Sequence, residues 1–426
     1  MNIEALYAIY QEFPSVQTDT RKLKKGDIFF ALKGPNFNAN AFAAKALQAG
    51  AAYSIIDDAE YVSGEKTILV DDVLTTLQAL AKHHRLQFDI PFIAITGSNG
   101  KTTTKELLHA VLASTFITYT TEGNLNNHIG VPLTLLRIKR DAEMAVIEMG
   151  ANHLREIASY CSYTLPTHGI ITNCGKAHLE GFGGEEGVRK GKGELYDHLR
   201  SHEGTAFVMW DYPYLRDMSK GIPNVISYGT QGAMISGKAQ PSDTFLKVAI
   251  AGRLQIDQID TQLVGEYNLP NVLAAVATAD HFKVPAEVIK RSMENYAPSN
   301  SRSQLVKKGT NQIILDAYNA NPSSMRLAIE NFAKLAATDK VLLLGSMAEL
   351  GTESNAEHQA IIALLDQYKW KSVALVGKNF ETAGHDYLQF ADSAEAGNWF
   401  RAQQFENSSI LVKGSRSMQM EKVLGD

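Results

Sequence analysis

The apolar run PFIAITG (91–97) stops at a glycine and passes at once into SNGKTTTKE (98–106). That succession reads as a buried strand, a tight turn and a helix opening near Lys101. A strand that feeds directly into a helix belongs to a parallel sheet, because parallel neighbours need a long crossover between them. The rest of the chain keeps the same alternation. MAVIEMG (144–150), HGIITNC (168–174) and AFVMW (206–210) are apolar runs of strand length, while 186–200 and 269–282 read as helices. Residues 221–262 form a polar, glycine-rich, β-like stretch. Upstream, GDIFFAL (26–32) and AAYSIID (51–57) read as strands, and 41–50 and 73–87 as helices. A Pro/Asn/Ser-rich boundary near 298 is followed by four more strands: QIILDAY (312–318), KVLLLGS (340–346), SVALVG (372–377) and SSILVKG (408–414). The expectation is an α/β chain of three domains. Residues 1–88 form a small α/β N-terminal unit, 89–297 a central P-loop ATPase-like parallel-sheet domain, and 298–426 a doubly wound, Rossmann-like domain.

Charge and cysteine content narrow the function. The formal net charge is -5, so no broad basic field exists to hold nucleic acid or an anionic membrane. Cys161 and Cys174 are the two cysteines, which fits a reducing compartment. The start, MNIEALYAIYQEF, lacks the basic and apolar regions of a secretion signal. No apolar run reaches the ~18 residues of a membrane span. These features predict a soluble, cytoplasmic protein without stable membrane insertion.

The turn at 97–103 carries the strongest chemical signal. Gly97 and Gly100 let Ser98, Asn99 and their neighbours aim backbone N–H groups inward, and the helix start adds its positive dipole end. Lys101 can then reach phosphates, Thr102 can ligate Mg²⁺, and Thr103 continues the helix start. The general P-loop has four residues between its glycines; here there are only Ser98 and Asn99. Glu148 ends an apolar strand and is placed to hold a divalent cation beside such a loop. His178 also follows a strand and could hold a second ion, although a lone histidine is more often structural. Lys192, on a helix, reads as a solvated charge. Asn268 and Asn271, spaced i and i+3, suit an adenine edge or a helix cap equally. Asp316 ends a strand and opens a ligand-facing loop with Tyr318, Asn319, Asn321 and a proline; Arg302 at the domain boundary could swing onto a transferring phosphate. Lys413, Ser415 and Arg416 follow another strand end and suit a carboxylate or phosphate, or a plain basic surface turn.

Taken in order, these motifs resemble the Mur ligase family over nearly the whole chain. TGSNGKTTTKE looks like that family's ATP loop, and GNLNNHIGVPLTLL (123–136) resembles its Asn-rich cleft segment. EMGAN, AHLEGFG, KGELY, DAYNANPSSM and VKGSRSMQME are similar to the members that add a dipeptide. The resemblance implies an ATP-dependent, ADP-forming ligase that acts as a monomer in peptidoglycan precursor synthesis. Its substrates would be UDP-MurNAc-tripeptide and D-Ala-D-Ala, joined through an acyl phosphate, with ATP and Mg²⁺, two ions, as cofactors. It further implies that Lys101, Glu148, His178, Lys192 and Arg302 are catalytic, and that Thr102, Glu148, His178 and a carbamylated Lys192 serve the metals. Residues 97–103, Asn268, Asn271, Arg302 and Asp316 would bind ATP. Substrate would meet Thr20, Arg21, Asn126, Asn127, Tyr318, Asn319, Asn321, Lys413, Ser415 and Arg416. FNANAF (37–42) replaces the family's Asp-Gly-His segment, and Ser346 stands where an Asp is expected. The alternatives are another amide ligase of this architecture, a P-loop small-molecule kinase, or a nucleotide-regulated binding protein. Asn319, Asn321 and Pro322 weigh for the dipeptide.

Overall fold

The computed structural model describes residues 2–425. It contains three principal sheets in chain order. The first has four short parallel strands, with Ile28–Phe30 and Tyr53–Ile56 at its centre. The second has nine strands and spans Phe92–Thr96 to Ile256–Val264. The third has six strands, from Gln304–Lys308 to Ser409–Lys413.

The central sheet follows the apolar runs closely. Phe92–Thr96, Met144–Glu148 and Thr205–Met209 are buried at every position, as strands covered by helices on both faces must be. Parallel pairing runs from Thr118–Thr120 at one edge as far as Ile235–Gln240. Beyond it, the polar stretch folds as antiparallel strands Phe245–Gly252 and Ile256–Val264, which extend the parallel sheet. From Phe92–Thr96 the chain first runs out to the edge strand Thr118–Thr120, then returns through Met144–Glu148. It next crosses to His168–Ile171 on the other side of Phe92–Thr96. The reversal opens a crevice at the carboxyl ends of these strands, where such sheets bind ligands.

The third sheet is parallel except for Gln304–Lys308, an antiparallel edge strand that the sequence patterns did not reveal. Asn311–Asp316 and Ser409–Lys413 are neighbours, and Asp316 pairs in register with Lys413 at their carboxyl ends. The N-terminal helix Ile3–Glu12 was also not read from sequence. Asn2 caps it by accepting the Ala5 N–H at 3.0 Å. Its Tyr7 hydroxyl bonds His84 of Val73–Arg85 at 3.0 Å, and His84 reaches Ile138 O at 2.8 Å. This anchors the first unit on the second. Among the described residues no helix is long and apolar enough to cross a membrane.

Candidate active site

The phosphate-type loop sits at the crevice. Gly97 has φ +141° and Gly100 φ +81°, values L side chains rarely adopt. A Cβ at Gly97 would lie 2.0 Å from Thr172 Oγ1, and one at Gly100 would lie 2.4 Å from Asn271 Oδ1. The loop is braced by the end of the neighbouring strand. Ser98 N–H donates to Asn173 O (2.9 Å) and Asn99 N–H to Asn173 Oδ1 (3.0 Å), while Thr172 Oγ1 donates to Asn99 O (2.6 Å). Thr172 and Asn173 were missed in the sequence, although the strand-end argument that selected Glu148 applies equally to them.

Lys101 opens the helix Lys101–Leu112, and its Nζ donates back to Gly97 O at 2.7 Å and Ser98 O at 3.2 Å. Desolvation pushes this ammonium down to about 8, with Glu148 opposing and Arg302 adding to the fall. Thr102 is buried, and its hydroxyl donates to Glu148 Oε1 at 3.1 Å. Asn126 Nδ2 donates to the same oxygen at 2.7 Å. Glu148 Oε2 is buried without a hydrogen-bond partner among the described residues. A buried, open carboxylate oxygen next to a hydroxyl is a hard-donor set that fits Mg²⁺. Among the described residues no group of three or more His, Cys, Asp or Glu is placed to hold a metal ion. A cation held by one carboxylate and completed by phosphate oxygens and water needs no such group.

His178 lines the same cleft. Its Nδ1 is 2.5 Å from Glu349 Oε2 of the third domain, an ion-pair distance at which the geometry is poor for a hydrogen bond. Pairing with His178 holds the Glu349 carboxyl below its usual range, against desolvation. Both residues have positive φ, +52° and +62°. Such strain persists where the surroundings impose it and collects at functional sites. Lys192 is not a solvated charge. It is buried, donates to Ala151 O at 2.8 Å and lies 5.0 Å from the Phe182 ring. Desolvation, helped by Lys101, pushes its amine down to about 7, while Cys174, Glu156 and Glu194 oppose.

The third domain supplies the far wall. Arg302 stacks on Tyr318 at 3.7 Å, and its Nε is buried without a partner among the described residues, leaving a donor for an anion. Asp316 Oδ2 is 2.5 Å from Lys413 Nζ, and its Oδ1 accepts the Ser303 N–H at 3.1 Å. Asn319 and Asn321 line the cleft, as do Thr103 and Asn127. The cleft encloses about 630 Å³.

Other expected residues have different engagements. Asn268 and Asn271 both line the cleft, but Asn271 Nδ2 donates to Asn268 Oδ1 (3.0 Å) and its Oδ1 accepts from Thr104 (3.2 Å). Asn268 Nδ2 also donates to Val264 O (2.9 Å), so these bonds engage both amides that would read an adenine edge. Ser415 does not line the cleft; it is buried, and its hydroxyl donates to Ser346 O at 2.6 Å. Arg416 is exposed and pairs with Glu421. Thr20 and Arg21 lie on the first domain outside the cleft lining, and Arg21 pairs with Asp19 at 2.8 Å.

The matches to known proteins follow this geometry. Residues 95–279 match the Mur ligase middle domain, and 301–416 match the Mur ligase glutamate ligase domain. The chain is 34% identical over 424 residues to UDP-N-acetylmuramoyl-tripeptide--D-alanyl-D-alanine ligase of Escherichia coli (strain K12), covering 96% of this chain and 92% of that one. A crystal structure of MurF from Acinetobacter baumannii is similar with a TM-score of 0.88 and 31% identity, covering 97% of this chain and 92% of that one. The MurF ligase of Thermotoga maritima in complex with ADP has a TM-score of 0.86 at 25% identity, covering 96% of each chain.

Proposed function

The chain belongs to the Mur ligase family, and from that premise we propose the reaction its cleft performs. It is an ATP-dependent, ADP-forming ligase of peptidoglycan precursor synthesis that joins D-alanyl-D-alanine to UDP-N-acetylmuramoyl-tripeptide. The observation that carries the reading is one cleft, walled on one side by the loop with Lys101 and Glu148. On the other side it is walled by the turn with Tyr318, Asn319 and Asn321.

A carboxylate is a poor electrophile, so the tripeptide's terminal carboxylate is first phosphorylated by ATP. The dipeptide amine then attacks the acyl phosphate, a C–N bond forms and inorganic phosphate leaves. Positioning and electrostatics supply most of such a barrier reduction. Lys101 exchanges its contacts with Gly97 O and Ser98 O for phosphate oxygens, where its charge counts most. Arg302, held over the Tyr318 ring, offers its buried Nε–H to the same anionic region. Thr102 and Glu148 would hold Mg²⁺, which when bound offsets the mutual repulsion of phosphate and carboxylate. His178 and a carbamylated Lys192 would serve a second ion.

Residues 1–88 hold the UDP end of the substrate in this reading, which accords with Thr20 and Arg21 lying outside the reaction cleft. Residues 89–297 bind ATP, and 298–426 bring in the dipeptide. The protein works in the cytoplasm. The test is phosphate release from ATP and UDP-MurNAc-tripeptide with a panel of amine acceptors. Release dependent on D-Ala-D-Ala is expected. Release with a single amino acid instead, or a phosphorylated product without amide, would overturn the assignment.

A further inference from the structure

Lys105 stands one turn beyond Lys101 on the helix Lys101–Leu112 and is almost completely buried, at 1% exposure. A buried ammonium is costly unless acceptors surround it, and an apolar residue of similar volume is often no less stable. Here Nζ donates to Thr121 O at 2.6 Å and lies 2.9 Å from Glu106 Oε1. Thr121 is fully buried and held at three points. Its N–H donates to Val146 O at 3.2 Å, its hydroxyl accepts the Glu148 N–H at 2.9 Å, and its carbonyl accepts Lys105. Thr121 also begins the segment that carries Asn126, whose amide donates to Glu148 Oε1. One lysine thus clamps the peptide that seats both the backbone of Glu148 and the loop bonded to its side chain.

We propose that Lys105 is a positioning residue for the metal site: through Thr121 it sets where the open carboxylate oxygen of Glu148 points, and so the affinity of the chain for a divalent cation. This rests on the reading of Glu148 as the metal-holding carboxylate. Groups that orient a metal ligand typically change metal affinity by about 10- to 100-fold when removed.

The test uses the full chain with Mn²⁺ as probe, its binding followed by electron paramagnetic resonance in the presence of ADP. Binding of ADP without metal is followed by calorimetry, and melting by scanning calorimetry. Lys105→Met and Thr121→Val are expected to weaken Mn²⁺ binding by about tenfold while metal-free ADP binding stays unchanged. Lys105→Arg, which keeps a donor for Thr121 O, is expected to retain more affinity than Lys105→Met. Should Lys105→Met not fold, Lys105→Gln, neutral and shorter, takes its place; Thr121→Val keeps both backbone contacts of Thr121, removes only the acceptor for the Glu148 N–H, and tests that second link. Wild-type Mn²⁺ affinity in the folded variants would overturn the proposal alone. Metal-free ADP binding that fell in step with Mn²⁺ would also overturn it, by placing the effect in the loop. No saturable Mn²⁺ binding by the unmodified chain would overturn the metal site itself and the proposal with it.

Discussion

Asn321 donates its side-chain amide to Asn99 Oδ1 at 2.7 Å, across the boundary between the third domain and the phosphate-binding loop. The other end of the Asn321 amide caps the helix Pro322–Lys334 by accepting the Ser324 N–H at 2.9 Å. Asn99 is fixed in turn by Asn173 and Thr172. The turn expected to meet the dipeptide and the loop expected to meet ATP therefore share one hydrogen-bonded array. Close by, Ser323 Oγ accepts the Lys176 N–H at 3.1 Å, and Lys176 Nζ reaches Glu357 at 2.6 Å.

Asn321→Ser separates the two roles of that side chain. Serine caps a helix about as well as asparagine, so the melting temperature should hardly change. Its shorter side chain cannot reach Asn99, and one lost hydrogen bond is worth about 1 kcal/mol, roughly fivefold in a rate or binding constant. The expected outcome is a fall of that order in kcat/KM for the dipeptide, measured by phosphate release. Unchanged kcat/KM would reduce the bridge to a packing contact.

Lys101→Ala removes a cation that folds back onto the loop itself. Loss of a charge-stabilising donor at a reacting centre costs about 100- to 1,000-fold in kcat. The variant should keep its circular dichroism spectrum. Near-normal turnover in a coupled ADP assay would remove the loop from the catalytic site.

Lys101, Glu148 and Asp316 were legible because each ends or closely follows an apolar strand, and the carboxyl ends of parallel strands face the ligand crevice. The hydrogen bond from Asn321 to Asn99 spans 222 residues, and no local pattern encodes such a pairing. The His178–Glu349 pair likewise depends on how two domains dock. The burial of Lys192 and Lys105 was hidden for a different reason. Lysine reads as a surface residue, and only the packing of helix on sheet shows that both are buried. For Asn268 and Asn271 the sequence left an adenine edge and a helix cap both open, because spacing cannot show that the two amides bond each other.

Lys192 has an amine pushed down to about 7 by burial and by Lys101. Carbamylation requires the neutral amine, so its extent should rise as pH rises through about 7. Carbon-13 spectra of the protein under labelled CO₂ should show a carbamate signal that Lys192→Met lacks. The signal should be stronger at pH 8 than at pH 6. Absence of the signal would mean that this lysine is not carbamylated, and a signal of equal strength at both pH values would overturn the lowered amine as its control.

His168 begins a central strand at the end opposite the cleft, with its Nε2 3.3 Å from His281 Nε2 and its ring packed on Phe207 and Phe282. Burial, helped by His281, pushes its pKa down to about 4. In the unfolded chain the same imidazole titrates near 6.5. Between those values the unfolded state takes up a proton that the folded state refuses, so the unfolded state gains stability as pH falls. The contribution of His168 is therefore complete above about pH 6.5 and is lost progressively towards pH 4, by at most about 1.4 kcal/mol per pH unit. His198, also pushed down to about 4 by burial, and the lowered His84, His281 and His358 add to the same acid slope. His168→Gln removes one titrating group and leaves the others. Its melting temperature should fall less steeply than that of the wild type between pH 6.5 and 4.5 in scanning calorimetry. Parallel pH profiles for the two proteins would show that His168 carries none of the acid sensitivity.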